Sequence, residues 1–199
     1  VFHSIRTRFN IWLMKIEAFP TPIYILHNNQ NDEIKSIVEE YYRKNKSESS
    51  TPDTWNCQLF TTFGTKKFPN DCLQKLIYLF NQFQRELGTY GNMTFSELWL
   101  NCYESMNWQE KHMHLPSKWS GVYYAIFDEE EHSPTHFYNP NEKLLASNNF
   151  SGQIALEPKV KEGDMIIFPS WLEHAAPLNK SSKLRATISF NFYFDNELT

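Results

Sequence analysis

Cysteine is scarce in this chain of 199 residues: Cys57, Cys72 and Cys102 stand far apart and form no Cys-x-x-Cys pair. An odd number at long spacings argues against a disulfide framework and a zinc ribbon, and predicts reduced thiols in a cytoplasmic protein. No apolar run reaches the roughly 20 residues that a membrane-spanning helix needs. A clustered positive charge is missing too. Lys and Arg number 19 against 23 Asp and Glu, for a net charge of -4, and no basic stripe forms the electrostatic footprint of a nucleic-acid binder. Residues 1–13 lack both the continuous hydrophobic segment and the small-residue cleavage site of a signal peptide. They are expected to be an upstream extension without catalytic role, leaving 14–199 as one domain.

What is abundant is aromatic side chain, at 16% of the residues, and β-type patterning. The length suffices for one sizeable core. An entry strand is expected over 20–26, followed by a helix from Asn31 with Ile34, Ile37, Val38, Tyr41 and Tyr42 on one stripe. The serine-rich segment 44–53 reads as a loop, and a strand is expected over 55–63. A second helix begins near Pro69 and carries Leu73, Leu76, Ile77, Phe80, Phe83 and Leu87 before Gly88. Strands follow over 93–103, 112–127, 135–138, 152–157, 164–168 and 184–194. The segments 128–134 and 139–150 are expected to flank a binding pocket, the second as a lid. The order predicts a mainly β fold supported by two helices.

Two segments carry chemistry. In His112-Met-His114, side chains at i and i+2 share one face of an extended segment and can converge on one ion. His174 follows the short apolar run Met165–Phe168 and the Pro169-Ser170 break, placed to be the third ligand. Neutral imidazole suits iron, copper, nickel or zinc, so ligand type alone leaves the metal open. Beyond it lies Arg185-Ala-Thr187, where an arginine fork and a hydroxyl on one strand face can take a carboxylate.

In His112-Met-His-Leu-Pro-Ser, Ser120-Gly-Val-Tyr-Tyr124 and Gly163-Asp-Met-Ile-Ile-Phe-Pro-Ser-Trp-Leu-Glu-His174 the chain resembles the 2-oxoglutarate/iron(II) dioxygenase superfamily. The nearer likeness is to its prolyl-hydroxylase-like branch, common in phages and marine bacteria. The resemblance implies a double-stranded β-helix (jelly roll, cupin-like) with Fe(II) on His112, His114 and His174. It also implies 2-oxoglutarate anchored by Arg185 and Thr187, with Tyr103, Tyr124 and Asn101 lining its pocket. The implied reaction hydroxylates a small molecule, an amino acid or a peptidyl proline with O2 and releases succinate and CO2. The location would be the cytoplasm, that of the host if the chain is phage-encoded, and a homodimer is open.

One position departs from the pattern. Most members use two histidines and a carboxylate, whereas the middle position here is His114. It is the favoured third ligand, and the alternative is a carboxylate from Glu110, Asp128 or Glu173. Two other functions stay open: a three-histidine cupin-like dioxygenase without 2-oxoglutarate, and an inert β-sandwich binding or structural protein. His3, His27, His132 and His136 read as surface or hydrogen-bonded structural residues, Asp164 as a turn residue, and Ser120-Gly121 as a place of close backbone approach.

Overall fold

In the computed structural model, which describes residues 21–47, 51–64, 68–88, 91–142 and 153–195, the longest strands alternate two kinds of side chain. In β10 (Arg185–Phe194), Ala186, Ile188, Phe190, Phe192 and Phe194 join the main apolar core, while Arg185, Thr187, Ser189 and Asn191 are buried polar residues. Successive strand residues point to opposite faces, so this strand serves two interiors. The same division runs through β3 (Met93–Tyr103), β5 (Trp119–Ile126) and β8 (Asp164–Pro169). In β5, Tyr123 packs in the main core and Tyr124 in a second one with Val122, Phe137, Ile166 and Phe168.

These strands form one antiparallel sheet of six, in the order β1-β8-β5-β10-β3-β2, with β1 at Tyr24–His27 and β2 at Phe60–Thr61. A second antiparallel sheet has the order β4-β9-β6-β7: β4 (Gln109–His112), β9 (His174–Ala176), β6 (His136–Tyr138) and β7 (Ala155–Leu156). The fold is a double-stranded β-helix, with the second core lying between the sheets.

The outer face of the larger sheet is covered by α1 (Asn31–Asn45) and α2 (Asp71–Leu87). Asp32 and Glu33 in the first turn of α1, and Arg43 and Lys44 in its last, complement the helix dipole. Gly88 ends α2 in the left-handed conformation. Edge-to-face ring contacts tie helix to sheet, with Phe80 4.9 Å from both Phe95 and Phe190, and Phe83 5.1 Å from Tyr24 and 5.4 Å from Trp119. Full burial of each such ring stabilises the fold by roughly 2–3 kcal/mol. Gly121 is required by this layer: a Cβ there would lie 2.3 Å from the Phe190 ring and 2.8 Å from the Ile166 carbonyl oxygen.

Several expected elements are corrected. The strand expected over 112–127 is two, because Pro116 cannot donate to a ladder and Ser117 N–H closes a turn on the His114 carbonyl, 3.0 Å away. The strand expected over 55–63 shrinks to Phe60–Thr61, and that over 152–157 to Ala155–Leu156. Helix α1 runs through Asn45 into the segment expected to be loop. In α2, Leu79 is buried and Ile77 is 57% exposed, so the apolar stripe is centred one position away from where it was expected. The expected extension 1–13 lies outside the described residues, as do His3 and most of the expected lid, 143–150. No described helix is long and apolar enough to cross a membrane.

Candidate metal centre

His112 and His174 face each other as direct cross-strand partners of β4 and β9, and such pairs share a sheet face. His114 lies two residues beyond, just past the end of β4, where its N–H donates to the Ser170 carbonyl at 2.9 Å. Ring centroids are 4.4 Å apart for His112 and His174, 4.8 Å for His114 and His174, and 5.0 Å for His112 and His114. One ligand atom from each lies within 4.8 Å of the other two, a group able to hold a metal ion, and no carboxylate joins it among the described residues.

Each imidazole is held from behind. Nδ1–H of His112 donates to the Glu110 carbonyl at 2.6 Å, and that of His174 to the Leu172 carbonyl at 2.9 Å. His114 Nδ1–H donates to Asn191 Oδ1 at 2.7 Å. Asn191 cannot turn over, because its Nδ2 donates to Glu97 Oε2 at 2.6 Å while Ser120 Oγ donates to its Oδ1 at 2.7 Å. Glu97, Asn191 and Ser120 stand side by side across β3, β10 and β5. With every Nδ1 protonated, each Nε2 carries a free lone pair, the arrangement that orients imidazoles on a metal. Burial lowers the pKa of all three, that of His114 to about 4 with help from the neighbouring His112. They are therefore neutral at neutral pH and need not shed a proton to bind a cation.

The three histidines line a cavity that runs between the sheets to Arg185, past Tyr103, Gln109, Tyr124, Thr135 and Thr187. It is narrow, ≈ 20 Å³, about enough for one water. Arg185 is only 2% exposed, and burial lowers its pKa. Nη1 and Nη2 donate to the Ser133 and Pro177 carbonyls at 2.8 and 2.9 Å, the Tyr103 ring lies 4.3 Å from the guanidinium, and Nε has no partner. No carboxylate among the described residues lines the cavity. A cation buried with neutral partners alone is a costly arrangement that an anion would relieve.

Tyr124 belongs to this cavity, its hydroxyl donating to Thr135 Oγ1 at 3.0 Å, and so does Tyr103, which donates to Gln109 Oε1 at 3.0 Å. Asn101 does not. It stands beside Thr187 in the ladder, but its Oδ1 accepts from Thr61 Oγ1 at 2.7 Å and it is absent from the cavity wall. The carboxylates weighed as ligands are engaged elsewhere: Asp128 with Lys183, Glu173 with Lys111, and Glu110 with the Asn56 N–H. His27 pairs with Asp164, and His132 accepts from the Asp128 N–H. Sequence reasoning overlooked Gln109, Thr135, Ser189 and Asn191. The alternation of polar side chains at 185, 187, 189 and 191 was the signal that could have found the last two.

Residues 97–191 match the family described as "Putative 2OG-Fe(II) oxygenase". No curated protein matches the sequence. Among solved structures, the chain is similar to a prolyl-4-hydroxylase from Pseudomonas putida (12% identity, 87% of this chain and 93% of that one, TM-score 0.57). It is also similar to a viral collagen prolyl hydroxylase from Paramecium Bursaria Chlorella virus-1 (13%, 85% and 94%, 0.56). A third is a prolyl hydroxylase from Trichoplax adhaerens in complex with a hypoxia inducible factor peptide (12%, 88% and 84%, 0.58). At such identities the structural likeness is one of fold.

Proposed function

We propose that the chain is a 2-oxoglutarate/iron(II) oxygenase, the family that residues 97–191 match, and that His112, His114 and His174 hold its iron through Nε2. Arg185 and Thr187 receive the far carboxylate of 2-oxoglutarate. Tyr103 and Tyr124 flank it, and Asn101 has no direct part. The observation that carries this reading is a cluster of three oriented imidazoles at one end of a cavity and an uncompensated guanidinium at the other.

Bound iron, 2-oxoglutarate and O2 supply an oxidation that turns a C–H bond of the substrate into C–OH, with succinate and CO2 as the other products. The protein's own work is orientation. The Glu110 and Leu172 carbonyls and Asn191 aim the three lone pairs, and Arg185 with its fork fixes one end of the diacid. A five-carbon diacid needs more room than the ≈ 20 Å³ of the cavity, so its side chains part on binding. The substrate is a small molecule or a peptide. A single domain from residue 14 onward, a cytoplasmic location suggested by three free thiols, a phage or marine origin, no nucleic-acid partner and a possible homodimer complete the reading.

The three ligands are neutral, so the negative charge that a carboxylate usually contributes is missing from the metal's own shell. Glu97 supplies it one residue further out, through Asn191 to His114. Glu97→Gln keeps an acceptor for Asn191 Nδ2 and removes the charge. It should weaken Fe(II) binding about tenfold in competition with a chelator; unchanged affinity would show that Glu97 acts by geometry alone.

Anaerobic titration of the iron-loaded protein with 2-oxoglutarate tests the whole site. A saturable visible charge-transfer band is expected. Bound iron without a band would overturn the cosubstrate pocket and favour a three-histidine dioxygenase that uses no 2-oxo acid; failure to bind iron would overturn the metal centre.

A further inference from the structure

Beside the histidine cluster lies a second, wider cleft of ≈ 550 Å³. Trp99, Gln109, His112 and His114 line both it and the inner cavity, so a molecule held in the cleft lies against the metal centre. Aromatic rings form one wall: Trp55 is 5.1 Å from Phe63, and Phe63 5.2 Å from Trp99. Glu97 and Glu110 also line the cleft, which has no lysine or arginine among the described residues. Their hydrogen bonds come from neutral groups, the Asn191 amide, the Asn56 N–H and the Cys57 thiol, and among the described residues neither carboxylate has an ion-pair partner.

Two buried atoms there have no partner. Glu110 Oε2 has no donor, and Trp99 Nε1, on a side chain only 3% exposed, has no acceptor. A buried polar atom without a partner costs about 1–3 kcal/mol, so a ligand that reaches both as the side chains part offsets that cost. Such a ligand needs a cationic donor for the carboxylates, an oxygen acceptor for the indole and an apolar stem to lie along the rings. Aromatic faces reinforce the choice of a cation, and two uncompensated carboxylates repel an anion.

We propose that this cleft takes a basic amino acid, its amine or guanidinium held by Glu110 and Glu97 and its carbonyl or carboxylate oxygen near Trp99, as the substrate. The proposal rests on the oxygenase reading for the chemistry but not for the binding. It excludes acidic substrates. The amino acid can be free or part of a peptide, since both offer the same cation, stem and oxygen.

Calorimetric titration of the anaerobic iron-loaded protein tests it, with L-arginine and L-lysine, their N-acetyl amides, and the neutral isosteres L-citrulline and L-norleucine as probes. At least one cationic probe should bind tenfold or more tightly than its neutral counterpart. That preference should collapse in Glu110→Gln, survive in Glu40→Gln on the exposed face of α1, and shrink as salt is raised. Better binding by the free amino acids identifies a free substrate, and better binding by the capped ones a peptide. Equal binding of neutral and cationic probes, a preference untouched by Glu110→Gln, or no binding at all would overturn the proposal. The salt series on the unmodified protein decides the matter if Glu110→Gln folds poorly. A 2-oxoglutarate band without cation preference sinks this inference alone; cation preference without a band sinks only the cosubstrate pocket.

Discussion

Replacing His174 by alanine should give a folded protein that no longer holds stoichiometric iron. In the proposed centre the residue contributes one of three nitrogen donors, and a chelate that loses one arm to a buried apolar methyl has no substitute, because no carboxylate among the described residues stands in the group. Stability should suffer modestly, since His174 is a neutral ring only 3% exposed that packs 4.7 Å from Phe168. Losing that packing and the bond to the Leu172 carbonyl should cost about 1–3 kcal/mol. The useful comparison is His132→Ala. His132 is likewise buried and hydrogen-bonded to Asp128 and Lys183, so its loss should cost comparable stability and leave the iron in place. Iron-to-protein ratios and thermal melts of the two variants separate a ligand from a structural histidine. Stoichiometric iron in His174→Ala would end the assignment.

Arg185→Met should weaken 2-oxoglutarate binding by roughly a hundredfold, about 3 kcal/mol, the usual scale for removing one partner of a buried charge pair. Iron affinity should be unchanged. The expected stability change is more telling than its size. Without cosubstrate, the guanidinium is a buried charge with neutral partners and an unpartnered Nε. A methionine of similar length removes that desolvation burden while giving up two bonds to backbone carbonyls. The melting temperature of the cosubstrate-free variant should therefore match or exceed the original, since apolar residues often replace buried charges without loss. With excess 2-oxoglutarate the order should reverse, because the original protein binds the ligand more tightly and is stabilised by it more. Equal 2-oxoglutarate affinity in the two proteins would remove Arg185 from the pocket.

The long elements were legible because their patterns are long. The strand expected over 93–103 is Met93–Tyr103, and the strand expected over 184–194 starts one residue later. Eleven or ten residues of alternation leave little freedom of register. The short strand that presents His174 was not read, since three residues are too few to show a period. The three histidines, Arg185 and Thr187 were visible as residue types at suggestive spacings. Asn191 was not, since a single asparagine between phenylalanines reads as an interruption. Its place is decided by the β10 register against Glu97 and Ser120, which arises from pairing of distant segments. Asn101 shows the converse: its strand face was right, but Thr61 from another strand engages it.

Strand β10 has a consequence for how this protein can change over evolutionary time. Its even-numbered side chains knit the helices to the sheet, and its odd-numbered ones from Arg185 to Asn191 furnish the candidate site. Point replacements can adjust either set separately, but the loss or gain of one residue within the strand would exchange them downstream. Phenylalanines would be driven among the histidines, and arginine, threonine or asparagine into the helical layer. Descent should therefore tolerate length variation in the loops and purge it from residues 185–194, whatever substrate a descendant acquires.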